Sequence, residues 1–251
     1  MKRYNRRNTL VNKVLDIIRT KKIKIHSNHA IHESVRLGIL LAIVGGFLDA
    51  YTFIGRGGVF ANAQTGNIIM LGAYAAKGEF RQALSHVPPI LACIIGVIVV
   101  ESIKKFSSRL FVSDWKQAVL IIEILAIIIV GFIPNTIPNI VVTVIVSFVA
   151  SIQVSSFRKL VDSPYTTTMS TGNLRSASYA AFIAITEKDI KSAIRSIRYF
   201  TIIFSFIFGA FLGGFLTLSI GEKSIWCSAI VLICAVILLR IEEQKTISCE
   251  S

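Results

Sequence analysis

Long uninterrupted apolar runs constrain this chain more than any other feature. Two of them are residues 117–133 (QAVLIIEILAIIIVGFI) and 199–220 (YFTIIFSFIFGAFLGGFLTLSI). A helix of about 20 such residues spans the roughly 30 Å hydrocarbon layer of a bilayer, whereas a half-buried helix of a soluble protein carries only an apolar stripe. With 53% hydrophobic and 16% charged residues, the chain has too little polar surface for a soluble domain. The runs therefore predict an all-α integral membrane protein.

Six runs are long enough to cross a membrane, and two further apolar segments are interrupted by polar residues. The predicted crossings are 37–55, 88–103, 117–133, 138–157, 199–220 and 224–240. The interrupted segments, about 60–76 and 165–184, each contain the tripeptide Thr-Gly-Asn (TGN). If both segments crossed, the basic loop 104–116 would lie outside, against the positive-inside rule. Six crossings of the plasma membrane, with both termini in the cytoplasm, fit the charges better.

The interrupted segments belong to an internal repeat. TGN occurs at 65–67 and again at 171–173, and Asp49 aligns with Gln153. The membrane domain, residues 36–240, then divides into repeat one, about 36–133, and repeat two, about 138–240. Three crossings in each repeat would place the repeats in opposite orientations, as in many secondary transporters.

Positive charge is concentrated in the N-terminal tail, residues 1–35. The chain has a net charge of +13, and ten Lys or Arg residues stand against Asp16 and Glu33 in residues 1–36. A cytoplasmic tail beside anionic lipid headgroups explains this charge. Nucleic-acid binding is not expected, because no aromatic platform accompanies the charge. Residues 241–251 are expected to form a second cytoplasmic tail.

Asp49 is the candidate binding residue of the first crossing. An intramembrane carboxylate is costly unless it is paired, hydrated or protonated, and Gly45, Asp49 and Thr52 fall on one helix face. We expect a proton, cation or substrate site there; the alternative is a protonated Asp49 that ties two helices together. Glu123, whose repeat mate is Cys234, is either a second proton carrier or a residue that snorkels to the cytoplasmic face.

The TGN segments supply the other candidate site residues. Glycine can leave helical geometry, and hydroxyl and amide side chains can bind the backbone groups that a helix break exposes. We expect the two segments to meet in one central site, where half-helix termini face a solute; the alternative is polar contacts that only hold helices together. Arg175 either attracts an anionic solute or marks the cytoplasmic side. The predicted substrate- or ion-binding residues are Asp49, Gln64, Thr65, Gly66, Asn67, Gln153, Thr168, Ser170, Thr171, Gly172 and Asn173.

Signals for an enzyme, a metal site or a cofactor are weak. No GxSxG, HExxH or Walker motif occurs in a usable context, and the four cysteines form no CxxC pair. We therefore expect no catalytic residue, no metal and no cofactor. The predicted function is a small secondary transporter or permease-like protein for an unknown small solute. Its small size is compatible with a homodimer. The alternative is a membrane scaffold or regulator that transports nothing.

The repeat motifs also resemble a known family. They are GGFLDAYTF (45–53), GGVFANAQTGNIIMLG (57–72), ASIQVSSF (150–157) and TTTMSTGNL (166–174). Together they resemble the YoaK-like family of bacterial multi-pass membrane proteins, a domain of unknown function (DUF1275), over about residues 36–240. The resemblance implies a bacterial plasma-membrane protein with about six crossings. It supplies no substrate and no activity.

Overall fold

Helices make up almost all of the chain that the structure describes. The structure, a computed structural model, describes residues 34–106, 115–157, 159–160, 163–164 and 170–250. The α-helices within these ranges are α1 Val35–Gly55, α2 Gln64–Ala76, α3 Phe80–Ser85, α4 Val87–Phe106, α5 Trp115–Val130, α6 Asn139–Ser156, α7 Ser170–Thr186, α8 Ile190–Ile220 and α9 Ile225–Glu250. Strands β1 (Lys159–Leu160) and β2 (Ser163–Pro164) form a short antiparallel pair, and a 3-10 turn, Gly221–Ser224, joins α8 to α9. The all-helical prediction is confirmed.

Four stretches of the described chain are long and apolar enough to cross a membrane. They are Val35–Gly55, Phe80–Lys105, Asn139–Ser156 and Ile190–Glu242. The last of these contains α8 and α9 as far as Glu242. Helix α5 is equally apolar but has 16 residues, which gives a length of about 24 Å at helical rise. These helices define a membrane protein.

The observed helices differ from the predicted crossings mainly at two ends. Helix α8 begins at Ile190, nine residues before the predicted 199, because Asp189 caps it by accepting from the backbone N–H groups of Lys191 and Ser192. Helix α9 continues to Glu250, so the chain has no break at 240 where the C-terminal tail was expected to start. Of the predicted basic tail, 1–35, residues 1–33 lie outside the described residues.

Glycines let α1 and α8 approach each other closely. A side chain at Gly46 would overlap the backbone of Phe206 and Ala210, and one at Gly209 would overlap the backbone of Ile43. One at Gly213 would overlap Phe47 in the same way. Contacts advance together along both helices, so α1 and α8 run parallel. Small residues at such a crossing allow two helix backbones to come into contact. This close packing holds helices together in a membrane, where the hydrophobic effect does not drive one helix against another.

A second glycine contact joins α4 to α6. A side chain at Gly96 would overlap Ser151 and the backbone carbonyl of Phe148. Farther along both helices, Lys104 Nζ donates to the carbonyl oxygen of Ser155 at 2.9 Å. Helices α4 and α6 therefore also run parallel.

The remaining helices surround these two crossings. Helix α9 packs on α1 and α5, and α5 also packs on α6. Helix α7 packs on α8, while α2 and α3 pack on α4. The main buried cluster lies among α1, α5, α6 and α9 and includes Leu48, Leu120, Val146 and Leu232.

Polar contacts divide the molecule into two ends. At one, which we call the Arg56 end, Arg56 donates to Ile133 O (2.7 Å) and to Asn135 Oδ1 (2.9 Å). At the other end, Ser34 Oγ donates to Glu242 Oε1 at 3.2 Å. Helix α6 starts beside Gly57 at the Arg56 end and finishes beside Lys104, so we call this other end the Lys104 end. The helix termini thus alternate between the two ends, as expected for antiparallel neighbours with short connections.

Candidate functional site

The chain reverses direction immediately after α1. Gly57 and Gly58 have φ angles of 88° and 78°, in the left-handed region that glycine adopts readily. The next residues run back along α1 as non-helical backbone until α2 begins at Gln64. The amide of Asn62 donates to the carbonyl oxygen of Gly45 at 3.2 Å. Since Gly45 lies ten residues before Gly55, this returning segment reaches about 15 Å back along α1.

Asp49 holds the returning segment against α1. Its Oδ1 atom accepts from the backbone N–H of Asn62 at 2.6 Å and of Ala63 at 3.3 Å. Ala63 is the N-cap of α2, so the carboxylate occupies the positive end of that helix. Its Oδ2 atom is buried and has no hydrogen-bond partner among the described residues. Asp49 thus combines a structural contact with one unused oxygen.

Asn67 fixes the shape of the same segment. Its Oδ1 accepts from Phe60 N at 3.0 Å and lies 3.2 Å from Nδ1 of His86, while its Nδ2 donates to Phe60 O at 2.8 Å and to Gln64 Oε1 at 2.9 Å. An asparagine amide has two donors and two acceptor positions, and all four are used here. Gln64 in turn donates to Ala61 O at 2.9 Å. These two side chains therefore face the protein's own backbone.

The expectation that the TGN glycines break a helix is wrong. Gly66 lies in the first turn of α2 and Gly172 in the first turn of α7, and neither has a positive φ. The helix break precedes the first motif instead. A side chain at Gly66 would come within 2.7 Å of the Phe60 ring, so this glycine makes room for an aromatic contact. Thr65 beside it is exposed.

Three important polar residues were missed from the sequence. Asn62 bridges to α1, and the sequence offered a signal for it because it stands inside the FANAQTGN motif (60–67). His86 is buried and stacks on Tyr74 with ring centroids 5.8 Å apart. Arg56 is completely buried and also donates to the Tyr51 hydroxyl at 3.1 Å. No sequence signal separated His86 or Arg56 from interfacial residues.

The second TGN segment is arranged differently. Gln153, the repeat mate of Asp49, is buried, and its Nε2 has no hydrogen-bond partner among the described residues. Asn173 is buried in α7, Thr171 is exposed, and Ser170 is half-buried. Thr168 lies outside the described residues. Among the described residues, a cavity of about 470 Å³ is lined by Gly172, Arg175, Ser176 and Tyr179 along one face of α7.

The structure brings together residues of the first segment around the loop that precedes α2. Asp49 bonds the backbone N–H groups of Asn62 and Ala63, and Asn67 bonds both backbone groups of Phe60. Helix α2 packs on α3 and α4, whereas α7 packs on α8. The two TGN helices thus have different neighbours, and a single cavity lined by both remains a prediction.

Fold and site together define a helical membrane protein in which a buried carboxylate anchors a reversed segment of chain. The chain belongs to the family described as protein of unknown function DUF1275, whose family model matches residues 37–238. This confirms the family resemblance of the repeat motifs. No curated protein and no solved structure matches the chain.

Proposed function

We propose that this protein is a small secondary permease in which Asp49 controls the reversed segment after α1. The observation that carries the proposal is the carboxylate of Asp49, which binds two backbone N–H groups through Oδ1, while its buried Oδ2 has no hydrogen-bond partner among the described residues. Intramembrane carboxylates are costly and commonly mark ion or substrate pathways.

The depth of the reversed segment supports this role. Its 15 Å reach along α1 is about half of the hydrocarbon thickness. Non-helical backbone at that depth is tolerated where it is buried in protein or lines a water-filled cavity. Short re-entrant stretches that begin a helix near the midplane are a common way for transporters to bind solutes.

The packing pattern supports two inverted repeats. If the helices of the two repeats are exchanged (α1 with α6, α2 with α7, α4 with α8, and α5 with α9), the pairs of helices that pack together map onto one another. The contact of α1 with α8 becomes that of α6 with α4, and α1 with α9 becomes α6 with α5. The end of α1 lies by the start of α6, because Gly57 faces Asn139. Helices α1 and α6 are therefore antiparallel, as an inverted repeat requires.

The division into two ends supports six crossings of the plasma membrane. Lys104 and Arg240 lie at the Lys104 end, together with the start of α1 and the end of α6. Arg56 lies at the other end, where its charge is buried within the protein. The positive-inside rule then places the Lys104 end, and both chain termini, in the cytoplasm. In this arrangement the basic tail lies beside anionic lipid headgroups.

A proton gives Asp49 a means of control. The ionised carboxylate attracts the backbone N–H groups and the positive end of α2. A proton on Oδ2 removes that charge and weakens both bonds, because hydrogen bonds to charged groups contribute about 1.5–3 kcal/mol and neutral ones less. The reversed segment can then leave α1 and admit a solute.

Asp49→Asn tests this mechanism. The solute is first found by comparing metabolites inside and outside cells with and without the protein, and its uptake is then measured in proteoliposomes. We expect Asp49→Asn to insert normally but to lose uptake or the pH dependence of uptake. Glu101→Gln is the control, since Glu101 pairs with Lys104 outside this site. Normal, pH-dependent uptake by Asp49→Asn would refute the proposal.

A membrane scaffold or regulator is the second candidate. It is favoured by Asn67, whose amide makes all of its hydrogen bonds to the protein itself. In that case Asp49→Asn would lower the stability of the protein in detergent. The reconstituted wild-type protein would then transport none of the metabolites whose levels differ between cells with and without it.

A further inference from the structure

Glu123 is a second buried carboxyl group that the proposed mechanism does not use. It lies on α5 with only 1% of its surface exposed. Neither carboxyl oxygen has a hydrogen-bond partner among the described residues. The side chain therefore does not snorkel to a membrane surface, which was one of the two expectations from the sequence.

The described residues packed around Glu123 offer it no positive charge. Helix α5 packs on α6 and α9. Helix α6 has no acidic, basic or histidine residue. On α9, Arg240 reaches Gln117 at 3.5 Å, six residues before Glu123 and thus about 9 Å away along α5. Cys234, near the depth of Glu123, is exposed, and the residues of the shared core are aliphatic.

Ser147 on α6 does not supply the missing partner. It is completely buried, and its hydroxyl also has no hydrogen-bond partner among the described residues. Ser147 shares a helix face with Ser151, four residues later, and Ser151 lies against Gly96 of α4. Glu123 therefore stands without a polar partner on α6.

An ionised carboxylate at this position would be an isolated charge in an apolar core. Its desolvation would cost several kcal/mol, with no partner among the described residues to offset that cost. A protonated carboxyl avoids the cost of burying a charge. We propose that Glu123 forms a proton-binding site within the membrane, separate from Asp49. The carboxylate takes one proton from hydronium, which leaves as water.

Reaction with a hydrophobic carbodiimide tests the site in the unmodified protein. The carboxyl proton moves to a carbodiimide nitrogen, the carboxylate oxygen adds to the central carbon, and the adduct rearranges to a stable N-acylurea without a leaving group. At neutral pH we expect at least roughly tenfold more adduct on Glu123 than on Glu101, since only the protonated acid reacts. Glu101 is the matched control because it is half-exposed and bonded to Lys104. Peptide mass spectrometry measures both.

Infrared spectroscopy supplies a second measurement. The carbonyl band of a protonated carboxylic acid should vanish in Glu123→Gln and remain in Asp49→Asn. Equal labelling of Glu101 and Glu123, or no adduct on Glu123, would overturn the proposal even if Glu123→Gln fails to fold. None of these outcomes depends on permease activity, so either proposal can fail alone.

Discussion

The carboxylate of Asp49 and the backbone N–H of Asn62 are joined by a 2.6 Å hydrogen bond. This bond connects the first apolar helix to the segment that folds back along it. Asn62 also donates its side-chain amide to Gly45, so the segment is attached to α1 at two points one helical turn apart. A short carboxylate bond of this kind couples the charge of one side chain to the position of a whole loop.

Replacing Asn67 should loosen the reversed segment. Asn67→Ala removes the partners of both backbone groups of Phe60, and each buried group left unsatisfied costs about 1–3 kcal/mol. We expect the free energy of unfolding in detergent to fall by about 2 kcal/mol or more. Thr65→Ala is the control, because Thr65 is exposed in the same helical turn. Equal effects of the two substitutions would contradict the described role of Asn67.

Gly46 should tolerate no side chain. Gly46→Ala places a methyl group against the backbone of Phe206 and Ala210, which cannot rotate away, and such overpacking costs about 1–3 kcal/mol. We expect a lower midpoint of thermal unfolding in detergent. The matched control is Gly72→Ala, since a side chain at Gly72 would meet nothing within 4 Å. That change should be neutral or stabilise α2 by up to about 1 kcal/mol.

Arg56 should be essential for the stability of the Arg56 end. Arg56→Gln leaves the Ile133 carbonyl and the Asn135 side chain without their donors, and we expect a loss of about 3 kcal/mol in unfolding free energy. Thermal unfolding followed by tryptophan fluorescence is a suitable measurement, because Trp226 donates to Ile128 O near this end. Arg36→Gln, at an exposed position of α1, should change little. Similar losses in both variants would count against the role of Arg56.

The start of α8 should depend on pH through Asp189. The Ser192 hydroxyl and then the Lys191 N–H bond its carboxylate and lower its pKa below the ordinary 3.8. A lowered folded-state pKa means that the capping contribution is present above pH 3.8 and is lost as the pH falls through the lowered value. We expect the protection of the Lys191 and Ser192 amides from hydrogen exchange, measured against the intrinsic exchange rate at each pH, to fall there. Asp189→Asn should remove this pH dependence. If the variant keeps the pH dependence of the wild-type protein, Asp189 is not the group responsible.

Cysteine labelling should decide the number of crossings. After Cys93, Cys227, Cys234 and Cys249 are replaced by alanine, single cysteines are introduced at Thr136 and Lys105. Six crossings predict that a membrane-impermeant maleimide added to intact cells modifies position 136, and position 105 only after the cells are broken. Modification of position 105 from outside would exclude the six-crossing arrangement.

The sequence predicted the helices well because apolar length alone requires them. It missed the start of α8, since Lys191, Arg195 and Arg198 look like a cytoplasmic loop although a capped helix can carry them into the aqueous layer. It identified Asp49 and Asn67 but not their roles. Which way the Asn67 amide points depends on Phe60 and His86, which come from a loop and a distant helix junction. Such tertiary contacts leave no periodic pattern in a single sequence.

The pairing of α1 with α8 has a consequence for biosynthesis. Each glycine-faced helix finds its close partner in the opposite half of the chain, so neither half possesses a finished interface by itself. The glycine face of α1 must wait in the translocon or the lipid until synthesis has passed Ile190. Separately expressed halves of the chain are therefore expected to assemble only when both are present in the same membrane.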